Sequence, residues 1–266
     1  MLLTRLGISR LWGENPERLW LFLRGFMPFV LRQLAPGYGY GAERIPESGG
    51  GVVAANHFGT IDPALVGIFS TRTIYYMTKI ELLDTPVIGG ALRWTGCFSV
   101  RRGEGDRDSI RVARWLAREG HLVGMFIEGT RQKLGHPGPV HAGAAMIAMH
   151  EEVPIIPCGV DTFGWTMKHR RACGVVWGDP IHLDGLPRNG RGYKEGAGIV
   201  GAEIHRLWRL AGEAVAAGFP SELPDGSRRS RGIGRRDCHR VTGARYWPDE
   251  PWAAGPLGPL YRRPRA

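Results

Sequence analysis

Apolar and polar positions along this chain fall into two rhythms, and each rhythm predicts an element type. Gly51-Val52-Val53-Ala54-Ala55 is a short unbroken apolar run closed by Asn56, which predicts a strand buried on both faces. Thr73 to Thr78 (TIYYMT) is dense in β-formers and predicts a second strand. Cys97 to Val100, His121 to Ile127 (HLVGMFI), Pro154 to Val160 (PIIPCGV) and Ala172 to Trp177 follow the same rule. Between these runs the apolar residues recur at helical spacing. The predicted helices are Asp62 to Phe69, Glu81 to Trp94, Ser109 to Glu119, Ala142 to His150 and Ile199 to Ala217. Asp62 is expected as the N-cap of the first, with Pro63 at the first helical position. Pro86 and the Gly89-Gly90 pair break the second, and Gly120 ends the third. Strands alternating with helices predict an α/β fold, a mixed or mostly parallel sheet flanked by helices.

The two ends depart from this pattern. Glu17 to Leu34 is the most apolar stretch, but Arg24, Pro28 and Arg32 interrupt it. The run is shorter than the ~20 residues of a spanning helix. Trp20, Phe22, Phe26 and Phe29 between arginines suit a helical segment lying in a membrane interface. An amphipathic helix packed on the protein's own core reads equally well. From Phe219 onward the chain is rich in Gly and Pro and has ten Arg, no Lys and five acids. With no sustained apolar period, that tail is expected to be largely disordered. The expected organisation is therefore an interfacial segment over 1–36, one folded domain over 37–218 and a tail over 219–266.

Charge narrows the partners. A net +10 and a pI near 9.9 favour polyanions: nucleic acid, phosphorylated substrates or an anionic membrane face. The Arg-rich tail contains no recognisable nucleic-acid module, so nucleic acid is the least favoured. Cys97, Cys158, Cys173 and Cys238 form no CxxC pair. Neither a metal site nor a disulfide scaffold is expected, and a reducing compartment follows. The N-terminus lacks the apolar run and cleavage site of a signal peptide.

Two places carry chemistry. In Asn56-His57-Phe58-Gly59-Thr60-Ile61-Asp62-Pro63, His57 and Asp62 would not share a face of a regular helix. A strand, a turn at Gly59 and a helix starting at Asp62 can fold them together. The carboxylate would then hold one imidazole nitrogen and leave the other free as a base. No serine nucleophile accompanies them in the motif, which suits a reaction whose substrate brings its own hydroxyl. The second place is Glu128-Gly129-Thr130-Arg131 at the end of an apolar strand. Backbone N–H groups, a hydroxyl and a forked cation there make a phosphate site. Arg101 and Arg102, at another strand end, would add positive charge.

Taken in order, NHFGTID, GCFSVRR (Gly96 to Arg102), FIEGTR (Phe126 to Arg131) and VPIIPCGV (Val153 to Val160) resemble the four motifs of the glycerolipid acyltransferase family. That family includes bacterial 1-acylglycerol-3-phosphate acyltransferases. The resemblance implies His57 as catalytic base with Asp62 as its partner. It implies Arg101 or Arg102 as the arginine of the second motif, and Glu128, Gly129, Thr130 and Arg131 as the acceptor's phosphate site. Pro157 matches the proline of the fourth motif, with a structural role or one on the acyl-donor side. Departures occur as well: Ile127 stands where the third motif usually has proline, Ser99 and Val100 precede the arginine pair, and Phe58-Gly59 follow the histidine.

The implied activity moves an acyl chain from acyl-CoA or acyl carrier protein to the free hydroxyl of a lysophospholipid, 1-acylglycerol-3-phosphate first among them. No metal or other cofactor is expected. The expected location is the cytoplasmic face of the plasma membrane, peripheral or monotopic. Glycerol 3-phosphate, another lysophospholipid or a glycolipid are alternative acceptors. A thioester hydrolase and a non-catalytic binder of anionic lipid are the alternatives of other kinds.

Overall fold

A computed structural model describes Phe29 and residues 35–79, 98–100 and 107–230. The rest of the expected interfacial segment, the helix expected over Glu81 to Trp94, Arg101, Arg102 and the tail beyond 230 lie outside the described residues. The described strands form one eight-stranded mixed sheet. They are β1 (Gly37–Tyr40), β2 (Gly51–Ala55), β3 (Ile74–Lys79), β4 (Phe98–Val100), β5 (Leu122–Phe126), β6 (Ile155–Asp161), β7 (Cys173–Trp177) and β8 (Arg229–Ser230). The described helices are α1 (Asp62–Ile68), α2 (Arg107–Arg118), α3 (Gly143–Glu151) and α4 (Gly190–Ala216).

In space the strands run β4-β3-β5-β2-β6-β7-β1-β8. The first five are mutually parallel, β7 reverses against β6, β1 runs with β7, and β8 reverses again. An α/β fold with a mixed, partly parallel sheet is therefore observed. Strands β2, β6 and β7 are buried at every position. That is why their sequences show continuous apolar runs and no alternation. One core layer packs Val52, Val123 and Ile155 of the sheet against α2, α3 and α4. The other packs Val53, Ile156 and Val175 against α1 and its neighbours.

Two expectations are corrected, and one strand is observed where none was expected. Helix α4 begins at Gly190, nine positions before the expected Ile199. Five glycines in its first twelve residues conceal the period, yet Asn189 caps it by accepting from the N–H groups of Arg191 and Gly192. Glycine also lets α4 lie directly on the sheet: a Cβ at Gly159 would stand 2.2 Å from the Trp208 nitrogen. Strand β1 (GYGY) escaped the apolar pattern, because its tyrosines alternate with glycines that close approach requires. Residues 219–230, counted with the tail, pack on the domain. The Tyr40 hydroxyl donates to the Pro220 carbonyl at 2.8 Å, Leu223 is buried, and Arg44 pairs with Asp225 at 3.2 Å. The β8–β1 pairing, Phe219 against Tyr38 and these polar ties complete the clasp, which holds with too few apolar residues for a period to reveal it.

Candidate active site

The carboxyl ends of three neighbouring parallel strands, β5, β2 and β6, meet at one edge of the sheet. Ala55, the last residue of β2, lies opposite Phe126 of β5 and Cys158 of β6. Open α/β sheets gather their ligands at such an edge, since the loops leaving the strands splay apart there. His57 follows β2, Glu128 follows β5 and Thr162 follows β6, so one side chain from each loop reaches the same place.

Asn56 anchors the turn. It is fully buried, and its amide donates to the Val160 carbonyl and accepts from the Val160 N–H, both at 2.8 Å. The next residue, His57, faces outward with its side chain 15% exposed. Its ring stacks on Phe126 at 4.1 Å, and Phe126 stacks in turn on Tyr76. Asp62 Oδ2 lies 2.8 Å from His57 Nδ1. The same oxygen accepts from the N–H groups of Phe58 and Gly59 at 2.7 and 2.8 Å. Its other oxygen accepts from the Thr162 hydroxyl at 2.6 Å.

Asp62 is not the N-cap that the sequence predicts. Ile61 holds that position, and Asp62 is the first residue of α1, with Pro63 next to it. Its carboxylate turns back to close the 57–62 turn, although it still sits where a helix N-terminus favours a negative charge. Fully buried and holding four donors, it cannot swing away from the ring. With Nδ1 engaged, Nε2 is left to exchange a proton. Among the described residues no hydroxyl or thiol is hydrogen-bonded to it. The arrangement can hold a base in one tautomer for an external nucleophile.

Glu128 departs from the sequence reading. It is only 3% exposed, and its two oxygens accept from the His57 N–H at 2.7 Å and the Gly138 N–H at 2.8 Å. Burial pushes its carboxyl up, while these two N–H groups and the nearby His57 pull it back down. The residue ties two loops together through one N–H on each oxygen. Gly129 adopts φ +65, and a side chain there would press on the His141 ring at 3.1 Å. Thr130 and Arg131 are exposed beyond it, and Gln132 N–H donates to the His57 carbonyl at 2.8 Å, which seats this loop beside the histidine.

Ile127, in place of the expected proline, has a use here. Its N–H donates to Ala55 and extends the β5–β2 ladder by a bond that proline could not make. Pro157 lies inside β6, buried opposite Ala54, and accepts from Gly178. Its ring packs against the chain just past the next strand, where a Cβ at Gly178 would stand 3.0 Å from Pro157 Cγ. Sequence reasoning missed Asn56 and Thr162. Asn56 adjoins the histidine and a buried strand, a signal that was available; Thr162 is 100 residues from its partner and left none.

A family model described as Acyltransferase matches residues 39–161. The 1-acyl-sn-glycerol-3-phosphate acyltransferase of Bacillus subtilis (strain 168) is 30% identical over 146 residues, which cover 54% of this chain and 72% of that protein. A 1-acyl-sn-glycerol-3-phosphate acyltransferase alpha of Mus musculus is 30% identical over 157 residues, covering 55% of each chain. The crystal structure of the 1-acyl-sn-glycerophosphate (LPA) acyltransferase of Thermotoga maritima aligns with a TM-score of 0.60, covering 72% of this chain and 80% of that one. At 20% identity the last comparison concerns the fold.

Proposed function

This chain belongs to the glycerolipid acyltransferase family, and we propose that it moves an acyl chain from acyl-CoA or acyl carrier protein to the free hydroxyl of 1-acylglycerol-3-phosphate. Its general chemistry is acyl transfer; the donor and acceptor are the proposed part. The observation that carries the proposal is the buried Asp62 carboxylate 2.8 Å from His57 Nδ1, with the exposed ring edge beside a loop bearing Thr130 and Arg131.

In this mechanism His57 Nε2 takes the proton of the acceptor hydroxyl as its oxygen attacks the thioester carbonyl carbon. Asp62 stabilises the imidazolium that results. The tetrahedral intermediate collapses by breaking the carbon–sulfur bond. The imidazolium returns its proton to the thiolate, leaving an ester and a free thiol. The acceptor's phosphate rests on Gly129, Thr130 and Arg131, with Arg101 or Arg102 as a further cation. Anchoring the phosphate brings the neighbouring hydroxyl within reach of the base.

The test is to incubate the full chain with acyl-CoA or acyl carrier protein thioester and a panel of acceptors, and to identify products by mass spectrometry. Phosphatidic acid formed from 1-acylglycerol-3-phosphate is expected. Its absence, with esters appearing on another acceptor, refutes the acceptor assignment.

A further inference from the structure

Described residues with large exposed apolar side chains include three in the loops flanking His57. Leu134 is 79% exposed, Met167 61% and Phe163 39%. The two loops touch, since a Cβ on Gly135 would stand 3.2 Å from the Phe163 ring. Phe163 meets Phe58, the residue after His57, edge-on at 5.7 Å. These side chains therefore belong to one rim beside the base.

The rim is built to hold its tip outward. Thr166 N–H donates to the His169 carbonyl at 3.0 Å, and the Thr166 hydroxyl accepts from His169 N–H at 2.9 Å. Met167 and Lys168 are thereby fixed at the apex of a tight turn. Trp165 packs inward on the core, and Arg171 ties the base of the loop to Asp161 at 2.5 Å. One exposed methionine would need no explanation, but three exposed apolar side chains grouped on touching loops mark a contact surface.

Charge identifies that surface. Residues 129–137 and 162–171 contain five Lys or Arg and no Asp or Glu. Turns at the opposite end of the sheet carry both signs, Glu47, Glu119, Glu152 and Asp184 together with Arg72, Arg118 and Arg188. Apolar tips among cations suit an anionic bilayer: the tips enter the headgroup layer and the lysines stay with the phosphates.

We propose that Leu134, Phe163 and Met167, with Lys133 and Lys168, form a membrane-docking rim that seats the mouth of the site on an anionic lipid surface. It rests on the reading of this chain as acting on lipid acceptors. Its residues belong to the described domain itself, so the rim sets which face of that domain meets the lipid.

The test uses the full chain and vesicles of phosphatidylcholine with or without about 30 mol % phosphatidylglycerol. Leu134→Glu with Met167→Glu changes the net charge by two. Lys194→Glu changes it equally, at the far end of α4, and serves as the control. The glutamate pair is expected to lower sedimentation with anionic vesicles about tenfold or more, and Lys194→Glu by less than about twofold. Leu134→Met with Met167→Leu should bind as wild type does. With a monomeric short-chain acceptor and acyl-CoA, all variants should keep wild-type turnover, because both tips lie outside the site. A glutamate pair that binds vesicles like wild type overturns the rim. So does one whose only defect is a raised KM for acyl carrier protein thioester, which would assign the patch to the carrier. Wild-type protein inactive on the monomeric acceptor would instead count against the proposed reaction.

Discussion

Two histidines stand at opposite ends of the same sheet, and of the two only His57 has a carboxylate hydrogen-bonded to its ring. His57 leaves the carboxyl end of β2 with a carboxylate on Nδ1 and part of its ring open. His121 enters the amino end of β5, with Tyr75 edge-on at 5.3 Å and the Arg72 cation near it. Burial and that cation push the His121 imidazole down to about 4. The arginines differ in the same way. Arg72 spends its guanidinium on the carbonyls of Pro46, Gly49 and Gly120, at 2.7 to 3.0 Å. Arg131 is exposed and has no ion pair among the described residues. Residue type sets what a site can do, and the partner decides whether it is used for structure or for chemistry.

The sharpest way to break this contrast is to exchange its histidines one at a time. His57→Ala should lower kcat by ~10²–10⁴ while circular dichroism stays native. His121→Gln should leave kcat near wild type. Comparable losses in both would mean that the sheet edge, and not the Asp62 pairing, makes the site.

Next in size is a pH effect at the far end. His121 is harder to protonate in the fold than in the unfolded chain, whose value is 6.5. Its contribution to stability is therefore present above 6.5 and is lost as pH falls toward 4, by up to ~3 kcal/mol. Glu128 works oppositely, because a raised carboxyl favours the fold at low pH and loses that contribution as pH rises. Denaturant melts of wild type and His121→Gln between pH 7 and 4 check the first effect. The wild-type slope should flatten in the variant, and equal slopes would show that His121 is not its source.

Thr162→Val removes one of four donors to Asp62 and keeps the shape. A loss of about tenfold in kcat with KM unchanged is expected, because a hydrogen bond to a buried charge is removed. Thr162→Ser should restore most of it. Were valine to lower stability without affecting kcat, Thr162 would be a packing residue. The smallest effect is expected from Arg131→Ala, a severalfold rise in KM for the phosphorylated acceptor with little change for the thioester. Equal rises for both would place Arg131 in the scaffold, alongside Arg72.

Local information accounts for much of what could be read in advance. A strand buried on both faces must be largely apolar, so β2, β6 and β7 could be placed within a residue or two. His57 and Asp62 are five positions apart, and a Gly59 turn between strand and helix leaves few ways to fold other than toward each other. Contacts that depend on distant chain were not legible. Whether Glu128 faces a ligand or the His57 N–H depends on how the loop after β5 closes over β2, and the order of strands settles that. Thr162 reaches Asp62 only because β6 lies beside β2. Glycine in α4 lowers helix propensity, and packing on β6 and β7 overrides it. The sequence by itself determined the alternation of elements and the histidine–aspartate pair, because both follow from interactions within a few residues. Only the tertiary structure decided which polar groups are spent on holding the site and which stay open to a substrate, because burial belongs to the assembled sheet and not to any one segment.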